Sequence, residues 1–152
     1  GNIYYHFKSK EGLFLHLIEE WDREWEEKWL AKEPLYPTVT DKLYGMAEHL
    51  AQEQINHPLT KAIDEFFNNS EKNSEAEERI GEMVKGYINF NKQLLQRGID
   101  SGEFKPADVT GLAVILDSLL YGLSLHARKM DRGEALTAYR LAMDVFLGGI
   151  AR

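Results

Sequence analysis

The chain of 152 residues contains no cysteine, which excludes a disulfide scaffold, a thiolate zinc site, an iron–sulfur cluster and a cysteine nucleophile. Proline occurs only 4 times, at positions 34, 37, 58 and 106, so the intervals between are free of helix breakers. A basic excess is also lacking. With 18 Lys and Arg against 25 Asp and Glu, the formal net charge is −7, so any contact with nucleic acid must be local instead of a uniform basic coat. The first residues, Gly1, Asn2 and a run of aromatics, lack the charged segment and apolar run of a secretory signal. The longest apolar stretch, Val109 to Leu125, is interrupted by Thr110, Asp117 and Ser118. It falls short of the roughly 20 predominantly apolar residues of a membrane span. The expectation is a buried helix in a cytoplasmic protein that makes no membrane contact. What remains is 43% apolar and 28% charged, with 3 Trp, 7 Tyr and 7 Phe, the composition of a globular domain able to bury about 68 to 70% of its unfolded surface.

Apolar residues recur at intervals of three and four, the period of amphipathic helices, and strand alternation of any length is missing. An all-α fold follows. A long helix is predicted from about Ser9 through Leu13, Leu17, Trp21, Trp25 and Trp29, with Glu19–Arg23 and Glu24–Lys28 as outward i,i+4 pairs. Glu33 to Pro37 should end it. Thr40 is expected to cap a second helix to Asn56, and Pro58 to begin a short third one through Phe66 and Phe67. Ser74 and Glu77 form a capping box for a helix carrying Ile80, Met83, Val84, Tyr87, Ile88, Leu94 and Leu95, ended by Gly98 and Gly102. Pro106 and Asp108 introduce the next.

The last two helices, about 107–130 and 134–150, are apolar around much of their circumference. A helix hydrophobic on several sides must be covered on several sides, so this pair is expected to face both its own core and a second copy of the chain, making a homodimer.

The first ten residues carry His6, Lys8 and Lys10 with no acid until Glu11, ahead of a strongly acidic stretch. Tyrosine hydroxyls, an imidazole and lysines at a helix junction can donate to phosphate oxygens. The same pattern also suits a helix start with Ile3, Tyr4 and Phe7 in a core and the lysines in solvent.

The run Gly1-Asn2-Ile3-Tyr4-Tyr5-His6-Phe7-Lys8-Ser9-Lys10-Glu11-Gly12-Leu13-Phe14 resembles the end of the helix-turn-helix of the tetracycline-repressor (TetR) family of bacterial regulators, continuing into the helix that follows it. The resemblance implies that Tyr4, Tyr5 and His6 face double-stranded operator DNA, that Asn2 lies near base edges and that Lys10 reaches phosphate. In that layout the chain opens inside the third helix. Residues 1–31 would then be the remnant of the helix-turn-helix with its connecting helix, and 32–152 a helical ligand-binding and dimerisation domain.

The remainder is similar, along nearly its whole length, to a multidrug-binding member of the family. The shared landmarks are Trp25, Pro58-Leu59, Ala62-Ile63, Glu65-Phe66, Tyr87-Ile88, Gly98, Gly102-Glu103, Asp108-Val109 and Gly122. The resemblance implies a pocket for bulky aromatic cations with walls from Trp25, Phe67 and Tyr87. Where that relative has additional carboxylates, this chain carries Trp21, Gln54 and Val84, with Asp22 alone keeping an acid. Ser118 and Tyr121 stand where it has amides. Asp117 is the second acid available to a buried cation.

Other constellations are weaker. His49, Glu53 and His57 fall on one helical stripe that could ligate a divalent metal but reads better as a surface stripe, and no H-E-x-x-H or di-iron pattern accompanies them. Nucleophile-elbow, phosphate-loop and dinucleotide motifs are absent, so neither an enzyme nor a cofactor is expected. Trp21, Trp25 and Trp29 belong either to a ligand cavity or to the core. Gly148-Gly149 should end a helix. The sequence thus favours a ligand-responsive, dimeric DNA-binding regulator with a small-molecule effector, a repressor released from its operator by a bulky apolar or cationic compound. The alternative is a helical small-molecule binding or interaction protein without DNA activity.

Overall fold

The computed structural model describes residues 10–54 and 75–152, with isolated positions 57, 59, 62 and 65 between them. Five α-helices account for nearly all of these: α1 (Lys10–Lys32), α2 (Val39–Gln54), α3 (Glu75–Asp100), α4 (Val109–Ala127) and α5 (Arg132–Ile150). The all-α reading holds over the described residues.

Helix boundaries follow local chemistry. A single 3-10 turn, Glu33–Leu35, places Pro34 where a missing N–H costs nothing. Thr38, not Thr40, caps α2, its Oγ1 accepting from Asp41 N at 3.0 Å. Asp108 and Asp131 cap α4 and α5, accepting from Gly111 N and Glu134 N. Helix α3 runs past Gly98 and stops at Asp100; the reversal falls on Gly102, whose φ of +84° is open to glycine without a Cβ clash. Gly98 serves another purpose, because the Phe104 ring lies 2.2 Å from where its Cβ would be, so the loop folds flat on the helix. The capping box cannot be followed, since Ser74 lies outside the described residues. So do the predicted third helix and Phe67.

Helix α3 packs chiefly on α4, and α2 on α5. Between them lies a core of Trp29, Leu43, Met46, Leu94, Leu95, Leu116, Tyr139 and Met143. The C-terminus is tied back to the α3–α4 loop, with Lys105 N donating to Ile150 O at 2.8 Å and Arg152 N to Glu103 O at 3.3 Å. Glu103 joins the same corner to α2, accepting from Val39 N and Thr40 N. Burial pushes its pKa up, but those donors outweigh it and hold the carboxyl below its ordinary value.

Three further expectations need correction. The outward charges of α1 pair mostly across helices, Arg79 with Glu19 and Lys28 with Glu53, because helix partners come within reach that i,i+4 spacing does not anticipate. Gly148 and Gly149 lie inside the last turn of α5, which continues to Ile150. Helix α4, long and apolar enough to cross a membrane by length and composition, buries only one side, through Ala113, Leu116, Leu120 and Ala127. Its other side exposes Val114, Ile115, Tyr121 and Leu125, and α5 exposes Leu141 and Val145. The apolar surplus of this helical pair therefore faces outward.

Candidate functional site

Helix α1 crosses α2 and α3 with two successive turns facing them. On the first, the Tyr87 hydroxyl of α3 faces the Asp22 carboxylate. Asp117 of α4 adds its negative charge to the same hydroxyl. Burial first, then Asp22, then Asp117 push the Tyr87 phenol upward, so it stays a neutral donor across the physiological range. Although 37% of Tyr87 is accessible, the hydroxyl end is the sheltered one. Asp117 is half-buried, and burial raises its carboxyl above the ordinary 3.8. No cation pairs with it among the described residues. A carboxylate held this way favours a donor or a positive charge.

On the next turn of α1, Trp25 meets Phe90 edge-on, with ring centroids 6.3 Å apart, and stacks near Trp29 at 6.4 Å. Trp29 is fully buried and faces Tyr36 at 5.8 Å. Trp25, by contrast, is only partly buried. Trp21 stacks on His57 with centroids 3.9 Å apart and planes within 10°. Burial lowers the His57 pKa and favours the neutral ring.

The sequence-selected ligand residues thus separate. Asp22, Tyr87 and Asp117 come together between α1, α3 and α4, while Trp25 lies one turn along α1 against α2 and α3. Ser118 turns outward and donates to Val114 O at 2.8 Å. Tyr121 is 59% exposed, one turn beyond Asp117 and on the outward apolar strip. Phe67 and the side chain of Gln54 lie outside the described residues. So do Asn2, Tyr4, Tyr5, His6 and the side chain of Lys10, which begins α1.

His49 corrects the surface-stripe reading, since it is 1% exposed. Its ring lies 5.6 Å from Trp25 and 6.3 Å from Trp29. Glu53, on the same stripe, is held by Lys28 at 2.9 Å. No group of three potential metal ligands forms among the described residues. The i,i+4 tryptophans were visible in the sequence; that a histidine from another helix closes on them was not.

These five helices form the effector-domain fold of TetR-type transcriptional regulators. Solved structures share it, among them a fatty acid degradation regulator, FadR, from Bacillus halodurans (TM-score 0.76, 24% identity, 98% of this chain and 81% of that one). A TetR transcriptional regulator from Chloroflexus aurantiacus is another (TM-score 0.73, 22% identity, 97% and 75%). Residues 21–152 match the family described as "QacR-like protein, C-terminal region", and the chain belongs to that family of ligand-responsive regulators. Its curated relatives include the HTH-type transcriptional regulator QacR of Staphylococcus aureus, 26% identical over the whole chain and 81% of QacR. The fatty acid metabolism regulator protein of Bacillus subtilis is 32% identical over 113 residues, 69% of this chain and 54% of that protein.

Proposed function

We propose that the chain is the effector-binding and dimerisation part of a cytoplasmic, non-catalytic repressor that leaves its operator when a flat aromatic compound enters between α1, α3 and α4. Membership of the QacR-like family supports the regulatory role. The observation that carries the effector class is Asp117, a half-buried carboxyl without a cation among the described residues, placed near the Tyr87 hydroxyl that faces Asp22, with Trp25 one turn along α1 from that acid. A guest with an aromatic face and a cationic or hydrogen-bond-donating group meets both demands. Residues 1–31 serve as the recognition segment and connecting helix, and 32–152 as the effector and dimer domain. Asn2, Tyr4, Tyr5, His6 and Lys10 meet double-stranded DNA.

Transmission runs along α1. Asp22 and Trp25 line the site, Glu19 is tied to Arg79 of α3, and the same helix begins at Lys10 next to the recognition segment. A guest that holds α3 away from α1 moves the two recognition segments of a dimer off the spacing of successive major grooves, about 34 to 36 Å. It shifts that equilibrium only by its differential affinity for the two states. The test is a titration with dyes, quaternary ammonium compounds and neutral aromatics, followed by indole fluorescence and by melting temperature, in the parent and in Trp25→Phe. The expected result is quenching by aromatic cations that weakens in Asp117→Asn. Binding of neutral compounds alone would refute the cation assignment, and no binding by any class would refute the sensor reading. If upstream coding sequence supplied no helix-turn-helix, the alternative of a binding protein without DNA activity would replace it.

A further inference from the structure

The Trp25, Trp29 and His49 cluster has more donors than acceptors. Lys32 Nζ lies 3.1 Å from His49 Nδ1. An ammonium only donates, so Nδ1 is the acceptor and the ring's proton sits on Nε2. Burial first, then the Lys32 charge, favours this neutral ring. His49 Nε2, Trp25 Nε1 and Trp29 Nε1 are each buried, and none has a hydrogen-bond partner among the described residues. The Trp25 carbonyl faces the His49 ring without completing a bond to Nε2. Two indole N–H groups and one imidazole N–H, on rings 5.6 to 6.4 Å apart, are thus buried unsatisfied. Groups left that way are costly, and a fold that gathers three in one place has an acceptor to receive them.

We propose that this cluster is a carboxylate-binding site, the second polar end of the effector slot, with Trp25 as the wall common to both ends. The inference rests on the effector reading above and adds to it the class of head group. A single carbonyl oxygen offers two lone pairs, whereas a carboxylate presents about four acceptor positions on two oxygens and matches three donors better. The Lys32 ammonium, one hydrogen bond behind His49, adds attraction for a negative group. Lys28 contributes little because Glu53 already neutralises it. Asp22 and Trp25 are one turn apart on α1, as Tyr87 and Phe90 are on α3, so the acidic end and the donor end are successive levels of one interface. The effector is then an aromatic molecule with a carboxylate toward α2 and a donor or cation toward Asp117.

The test uses three probes on the 152-residue chain: 2-naphthoate, 2-methylnaphthalene and 2-naphthylmethylammonium. Calorimetry gives affinities, and proton–nitrogen correlation spectra follow the three indole N–H resonances, assigned by Trp→Phe variants. The expected result is that 2-naphthoate binds and moves the Trp25 and Trp29 indole protons downfield, leaving Trp21 nearly unchanged. Trp29→Phe, which keeps a ring and removes the donor, should weaken 2-naphthoate about tenfold, as for a hydrogen bond to a charged group, and leave 2-methylnaphthalene unaffected. The indole shifts in the parent chain decide the matter even if that variant folds poorly. Binding of the hydrocarbon or the ammonium with 2-naphthoate no tighter and the indole protons unmoved would overturn the carboxylate site alone. Cross-peaks from these protons to a bound water that no probe displaces would overturn it too. Failure of every probe would overturn it together with the effector reading.

Discussion

Val145 is the most exposed large apolar side chain on the outward strip of α4 and α5, at 70% in the single chain, with Leu141 close behind at 60%. If a second copy covers this strip, Val145→Ala removes both branch methyls from an interface while slightly improving helix propensity, so the monomer fold is spared. Burial is worth about 0.8 kcal/mol per carbon. Scaling by the fraction exposed gives roughly 1 kcal/mol per protomer, and a two-fold interface uses the residue twice, so the dimer loses about 2 kcal/mol. That corresponds to a roughly 30-fold rise in Kd, and Leu141→Ala should do somewhat more. Sedimentation equilibrium over a range of concentrations measures it directly. Leu35, 77% exposed but on the 3-10 turn, is the control, and Leu35→Ala should leave association unchanged. Equal dissociation constants for parent, Val145→Ala and Leu141→Ala would refute the assignment of this face to a homodimer, as would an equal loss from the control.

Gly98→Ala should lower stability by about 1 to 3 kcal/mol, since its Cβ would meet the Phe104 ring at 2.2 Å; thermal melts should show the loss, largely relieved in Gly98→Ala with Phe104→Leu. Asp117 has a raised carboxyl pKa, so the folded chain holds its proton more tightly than the unfolded one, and the stability this confers is lost as pH rises through the folded value. Asp117→Asn should therefore melt above the parent at pH 7, with the gap closing below the ordinary value of 3.8; a constant gap in a pH series of melts would argue against the buried acid. In a regulator with a complete helix-turn-helix, Lys10→Ala should weaken all DNA sequences alike and cut the salt slope by about one phosphate per recognition segment, whereas Asn2 substitutions should change sequence preference. Unchanged affinity and slope in binding measured against salt would remove Lys10 from the DNA face.

Helix class, the ends at Pro34 and Asp108, and the apolar surplus of the last two helices were legible in the sequence, because they depend on periodicity, capping chemistry and proline geometry within a few residues; the start of the last helix at Asp131 was not read from it. The acid of Asp22 and the aromatic spacing of Trp25 and Trp29 were equally visible. Their meaning was decided by what other helices bring against them. Tyr87 and Asp117, far along the chain, make Asp22 part of a polar end, and the crossing of α1 with α2 turns His49 from one member of a presumed surface stripe into a fully buried donor between two indoles. The same holds for charge, since Glu19 and Lys28 take partners on α3 and α2 instead of along α1. One-dimensional spacing specifies which residues share a face of a helix. Which face meets which, and therefore which donors are left without acceptors, follows only from packing the helices in three dimensions.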